Sequence, residues 1–206
     1  MPKKEAPLEH LNHYMPAGAS EKMLEYLNRY RVHLTITRTR KSILGDYRHA
    51  THQDNHRISV NGSLNKYAFL ITLIHELGHL VTFQQYGHRV SAHGKEWKKS
   101  YRDILEEFMR MKLFPADIQQ TLGKSLHNLP ASSCSDIHLT RVLKNYDTDK
   151  AMVLVEDIPE GQHFATADGL HFVRGRQIRK RIECRETRSG KLYLFSPVYE
   201  VKPLEV

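Results

Sequence analysis

The sequence predicts an α+β fold: a helical domain built around a small three-stranded sheet, followed by a small all-β module. Three observations carry this. A long apolar run over 66–86 has the length of a buried helix and stops at Gly87. Before it, between His33 and Asn61, lie three short strand-like stretches, the first and third alternating and containing β-branched residues. After about Ala151, short strand-like runs follow one another, punctuated by Gly161, Gly169, Gly175 and Gly190. A chain of 206 residues fits one domain with a small module attached.

Taken in order, the residues up to Gly18 are polar and contain Pro2, Pro7 and Pro16, so they read as a lead-in with a short helix around Leu8 to Tyr14. Ser20 is the expected N-cap of the next helix. Met23, Leu24, Leu27 and Tyr30 recur at helical spacing from Glu21 to about Val32, an amphipathic stripe that packs on a core. Strands are expected at His33–Thr37, Ile43–Tyr47 and His56–Asn61. Turns at Arg38–Ser42 and Thr51–Asn55 join them, the second rich in turn formers. The central helix runs from Lys66 to Tyr86, with Gly87 a natural C-cap residue. A third helix starts around His93, where Trp97, Tyr101, Ile104, Leu105, Phe108 and Met109 keep helical spacing. Pro115 ends or restarts it, and 116–126 reads as one more helix. Small and turn-forming residues cluster at Asn128–Ser135, which places a linker at 128–150, with a short helix over His138–Tyr146. Strand-like runs then occur at Met152–Val155, His163–Ala165, His171–Val173, Ile178–Glu183, Leu192–Phe195 and Val198–Val201.

Hydrophobic residues make up 40% of the chain and charged ones 26%, ordinary globular values that argue against a disordered or fibrous chain. No apolar run reaches the ~18 residues a membrane helix needs. Met1–Glu5 is not followed by an apolar segment, so no secretory signal is visible. Two cysteines, Cys134 and Cys184, make no disulfide framework. The expected location is cytoplasmic. The net charge of +8 favours acidic partners, nucleic acid above all, with ordinary solubility charge as the competing reading.

Within the central helix, His75-Glu76-Leu77-Gly78-His79 breaks the apolar pattern. Residues four apart share a helix face, so His75 and His79 can point at one metal ion. Glu76 is placed to take a proton from a water at that metal. Zinc suits the site, because it accepts imidazole nitrogens and keeps a position open for water. The pattern points to a zinc-dependent hydrolase, with one catalytic ion and a protein or peptide as substrate. Satisfied core histidines are the bland reading, but polar side chains on a buried helix are unfavourable unless paired or metal-bound.

A catalytic zinc needs a third protein ligand. One route requires Gly at 81 or 82 and His at 85; Val81, Thr82 and Gln85 close it. Glu96, His88 and His93 remain as downstream candidates. Tyr86 and Tyr101 are candidates to assist at the oxyanion, and no spacing argument selects between them.

Here the chain resembles a known family. His75-Glu76-Leu77-Gly78-His79 followed by His93-Gly94-Lys95-Glu96-Trp97 is similar to the SprT-like metallopeptidases, the family that includes Spartan. Leu44-Gly45-Asp46-Tyr47 and Ile58–Asn61 extend the match upstream, over roughly Met23 to Phe108. The resemblance implies a zincin-like domain over 1–127. It also implies His75, His79 and His93 as zinc ligands, with His93 ahead of Glu96 and His88, and Glu76 as general base. For Spartan it implies proteolysis linked to DNA, single-stranded or crosslinked to protein.

The family commonly carries a four-cysteine zinc ribbon. This chain has Cys184 with Thr187 three positions on and no cysteine pair before it, so 151–206 reads as a degenerate, ribbon-like β module with a structural Cys184. In it, Arg174, Arg176, Arg179, Lys180 and Arg181 form a basic run near Phe172, Tyr193 and Phe195. Such a run can bind single-stranded nucleic acid through phosphates and stacking; the competing reading is a solvated hairpin over core aromatics. A nucleic-acid-binding adaptor with a structural or idle zinc site is therefore the alternative function. A third reading closes the metal with a fourth ligand, His88 or Glu96.

Overall fold

A computed structural model describes residues 8–38, 43–126 and 136–204. The residues at the two ends, the 39–42 portion of the expected first turn, and Cys134 with the rest of 127–135 lie outside the described residues. The chain is α+β and divides into two compact units, Met1–Tyr146 and Asp147–Val206.

In the first unit, a 3₁₀ helix at Leu8–His13 leads into α1, Ala19–Arg29. Ser20 lies inside α1 and does not cap it. Gly18, in the left-handed region at φ 87°, makes the turn without a side-chain cap. Ala19, Met23 and Leu27 form the buried stripe of α1, four residues apart.

The sheet has three strands: β1 (His33–Thr37), β2 (Gly45–Arg48) and β3 (Arg57–Asn61). Its order is β1-β3-β2, with β1 parallel and β2 antiparallel to the central β3. Alternation on β3 sends Ile58 and Val60 inward, where both are buried. β2 starts at Gly45, two residues later than the apolar pattern predicts, and Ile43 before it is exposed.

Helix α2, Lys66–Tyr86, is the centre of the unit. Asn65 caps it, its side-chain oxygen accepting from the N–H groups of Tyr67 and Ala68 at 3.2 and 3.0 Å. Every residue from Ala68 to Gly78 is buried, so α2 has no solvent face along its middle. Gly87 is the C-cap residue. Helix α3, Lys95–Arg110, buries Trp97, Tyr101, Ile104, Leu105, Phe108 and Met109 on one face. Its N-cap is Gly94, so His93 precedes the helix instead of standing on its first turn. Helices α4 (Ala116–Ser125) and α5 (Ile137–Lys144) follow. α5 falls within the stretch expected as a linker, yet it belongs to the first unit: it packs on α4, and the Asn65 amide donates to the Leu143 carbonyl at 3.0 Å.

The second unit is a six-stranded antiparallel sheet in the order β4-β9-β5-β6-β7-β8. The strands are β4 (Val153–Leu154), β5 (His163–Ala165), β6 (His171–Ile178), β7 (Arg181–Glu186), β8 (Leu192–Phe195) and β9 (Glu200–Pro203). Val155, Ile158, Phe164, Phe172, Ile182, Cys184 and Val201 make its core. Two expectations are corrected here. The run Ile178–Glu183 is not one strand: the chain turns at Arg179 and Lys180, with Arg179 at φ 53°. Nothing in that dipeptide advertises a turn, since hairpin turns favour Asn and Gly. Gly175 does not end a strand but sits at the irregularity in β6 between Arg174 and Gln177.

Candidate metal centre

The buried middle of α2 presents His75 and His79 on one face, four residues apart, with Glu76 beside them. The Nε2 atoms of His75 and His79 are 3.2 Å apart. His93, from the segment before α3, brings its ring to 4.6 Å from His79 and 5.5 Å from His75, centroid to centroid. Each histidine offers a nitrogen, and the three lie within 4.8 Å of one another. This is the group of metal-ligating side chains found among the described residues; neither His88 nor Glu96 belongs to it. His88 instead packs against His49 and Phe83.

The group fits a tetrahedral cation. Zinc–imidazole bonds of about 2.0–2.1 Å at tetrahedral angles separate two ligand nitrogens by about 3.3–3.4 Å, close to the spacing seen across α2. Nε2 of His93 is buried without a hydrogen-bond partner, a condition that a bound cation relieves. Burial, and then the charges of His79 and His93, pull His75 down to about 3; burial first and His93 next pull His79 down to about 4; burial lowers His93 as well. All three rings are therefore neutral at neutral pH, the state in which imidazole is a ligand.

What lets α3 come close enough is Gly78. A Cβ there would meet Tyr101 Cβ at 3.0 Å and Trp97 Nε1 at 3.2 Å. Trp97 is fully buried and its ring lies 4.7–5.3 Å from all three histidine rings, forming the floor of the cluster. The Gly in the pentapeptide is thus a packing requirement, which the motif alone does not reveal.

Glu76 is 6% exposed, and burial, with a smaller contribution from Asp46, raises its carboxyl to about 8. Gly45 of β2 abuts it: a Cβ at Gly45 would lie 2.6 Å from Glu76 Oε1 and 2.8 Å from Thr72 Cγ2. We expect Gly45→Ala to shift the Glu76 carboxylate and to destabilise the fold by about 1–3 kcal/mol, as overpacking does. Urea unfolding measures the loss; unchanged stability would mean that β2 and α2 are not in this contact.

The histidines and Glu76 open onto a cleft of about 510 Å³, also lined by Gly45, Asp46, Tyr47, Phe83, His88 and the 90–93 segment. A larger cleft of about 1130 Å³ lies elsewhere on the sheet; its two arginines are ion-paired, Arg48 with Asp46 and Arg57 with Asp54. The three histidines and Glu76 line the smaller cleft. Neither Tyr86 nor Tyr101 lines it, whereas Tyr47 does. Tyr101 is 4% exposed and packs between Trp97 and His75.

Tyr47 stacks nearly parallel to His79, and its hydroxyl lies 2.9 Å from His56 Nδ1. The Ala50 N–H also donates to that nitrogen at 3.1 Å, and the Gln84 amide sits 2.6 Å from His56 Nε2. Burial, and then the neighbouring His49, lower the His56 pKa. Below about pH 6.5 the unfolded chain therefore takes up a proton that folded His56 refuses. Its stabilising contribution is complete above that pH and falls as the solution is acidified. We expect His56→Asn, whose oxygen can still accept from Ala50, to flatten the fall in urea-unfolding free energy between about pH 6.5 and 5; an unaltered slope would remove His56 as a source.

The basic run in the second unit divides. Arg174 is largely buried, 3.6 Å from Glu160, and its Nε is enclosed. Arg176, Arg179, Lys180 and Arg181 are exposed around the β6–β7 turn. Phe172 and Phe195 pack with Phe164, so these aromatics belong to the sheet's own core. Residues 147–206 hold ten basic and ten acidic side chains, which leaves the whole +8 excess in residues 1–146. Cys184 is a fully buried core residue.

Fold and site together define an α+β protein with a three-histidine centre of the kind that holds a metal ion. The sequence model of the SprT-like family matches residues 8–149, and the chain belongs to that family. No curated protein and no solved structure matches it. Family and cluster together point to a metallopeptidase-like role. No helix among the described residues is long and apolar enough to cross a membrane.

Proposed function

We propose that this chain is a zinc-dependent metalloendopeptidase with a zincin-like first unit. The convergence of the His75, His79 and His93 nitrogens beside the Glu76 carboxylate carries the reading. The three imidazoles hold the ion. When bound, zinc polarises a carbonyl and lowers the pKa of a water to about 7. A cation beside Glu76 also favours its carboxylate, overriding the upward push of burial. Glu76 then takes a proton from the attacking water as its oxygen adds to the scissile carbonyl carbon. It returns that proton to the amine nitrogen as the C–N bond breaks, so the residue ends as it began. β2 is an edge strand whose Gly45, Asp46 and Tyr47 line the cleft. An extended peptide can lie along that edge and present its carbonyls to the centre.

The experiment is metal-dependent proteolysis. Protein carrying one zinc per chain should cleave an unfolded protein substrate, lose activity to a chelator and regain it with zinc. Zinc-loaded protein that leaves the substrate intact, with and without single-stranded DNA, would refute the reading. DNA-associated proteins are the proposed substrates, supported by the positive excess in residues 1–146. That excess is also what favours the alternative, a nucleic-acid-binding adaptor, which the same assay separates through retained DNA binding without cleavage.

A further inference from the structure

We infer that the second unit pairs with a second copy of itself, edge to edge, through β8. Of the two ends of its sheet, β4 is only two residues long and offers little edge. β8 is different. Leu192, Tyr193, Leu194 and Phe195 carry no charge and no proline, the devices that normally protect an open edge. Leu192, Tyr193 and Leu194 are 54%, 42% and 58% exposed. An exposed apolar edge strand of this kind is an interaction surface.

The hydrogen-bond pattern says which groups are available. The Glu186 N–H donates to the Lys191 carbonyl, and Cys184 stands opposite Tyr193. In an antiparallel pair the inward- and outward-pointing residues alternate. Lys191, Tyr193 and Phe195 therefore direct their backbone groups at β7, while the N–H and C=O of Leu192 and Leu194 point away from the sheet.

A second copy satisfies these groups in one register. About a two-fold axis through Tyr193, Leu192 of one copy faces Leu194 of the other, and the reverse. Each such pair exchanges two backbone hydrogen bonds, so all four outward groups of each chain are used. The faces also match. Leu192 and Leu194 share the outer face with Arg185 and Glu183, opposite which they lie on β7. Each cross-strand row then reads Arg185, Leu192, Leu194 of the second copy, Glu183 of the second copy: an apolar centre with opposite charges at its ends. On the core face the two Tyr193 rings meet beside Phe172, which each already contacts within its own copy. Equal numbers of basic and acidic residues in 147–206 leave no net repulsion between the units. The edge is short, well below a standard interface, so the dimer forms reversibly and disperses on dilution.

Sedimentation of the full chain from low-micromolar to near-millimolar concentration tests this. The mass should rise from the 24.0 kDa monomer towards twice that value. Leu192→Lys combined with Leu194→Lys should keep it monomeric with an unchanged near-ultraviolet circular dichroism spectrum. Should the lysine pair disturb folding, Leu192→Thr with Leu194→Thr retains strand preference and should weaken association at least about tenfold. Hydrogen exchange should show the Leu192 and Leu194 amides gaining protection as concentration rises. A monomer at every concentration, a dimer that survives both double variants, or open-ended aggregates in place of a closed pair would each overturn the inference.

Discussion

Replacing Glu76 by Gln should leave a folded, zinc-binding protein that cleaves peptide bonds about 10²–10⁴-fold more slowly than the parent. The side chain keeps its shape, so α2 and its contact with Gly45 persist. The proposed ligands His75 and His79 are untouched. What disappears is the group proposed to accept a proton and return it. Because burial raises the Glu76 carboxyl to about 8, the metal-free fold must hold it protonated at neutral pH, a cost that Gln does not carry, so stability without metal should hold or rise. The decisive pair of measurements is zinc content and turnover on one preparation. Parental turnover in Glu76→Gln would end the role assigned to this carboxylate.

His93→Ala should have the opposite profile, with the metal lost. Disturbing even an outer-shell partner of a metal ligand weakens binding about 10–100-fold, so removing one of three ligands should exceed that. The wild-type protein should gain stability on zinc addition, about 4 kcal/mol at a thousandfold excess over Kd, a rise in Tm on the order of 10 °C for a chain this size. His93→Ala should show almost none of that rise. Its apo form should be as stable as the wild-type apo form or slightly more so, since His93 Nε2 is buried without a partner. A zinc-dependent Tm shift of wild-type size in the variant would exclude His93 from the metal set.

Local signals were the legible ones. The helix bearing His75 and His79 shows in the sequence because its apolar run and its end at Gly87 are properties of neighbouring residues. His93 is nameable only through the family resemblance, since it lies fourteen positions beyond His79 and nothing in the spacing sets it above His88 or Glu96. Features that depend on the pairing of distant segments stayed hidden. Tyr47 reaches the cleft because β2 pairs with β3 in one register, and His56 meets Gln84 only once α2 packs over that sheet. Nothing in the sequence marks Gly45 and Gly78 as packing positions, yet a Cβ at either would collide with Glu76 or with α3. Arg174 belongs to a run of basic residues along the chain, but the irregularity in β6 between Arg174 and Gln177 breaks the two-residue alternation, so Arg174 meets Glu160 while Arg176 and its neighbours stay in solvent. The turn at Arg179–Lys180 lacks the residues that usually mark one.

The unbroken burial of α2 from Ala68 to Gly78 bears on how the centre behaves in time. A helix buried along its middle opens only together with much of the unit packed around it, so its amides belong to the slower-exchanging class. His75, Glu76 and His79 therefore share one rigid frame that thermal breathing does not distort. His93 sits outside that frame, just ahead of the Gly94 cap, where opening is less expensive. For an ion held by the three histidines, His93 would thus be the arm released first, while the two-histidine face on α2 keeps its geometry.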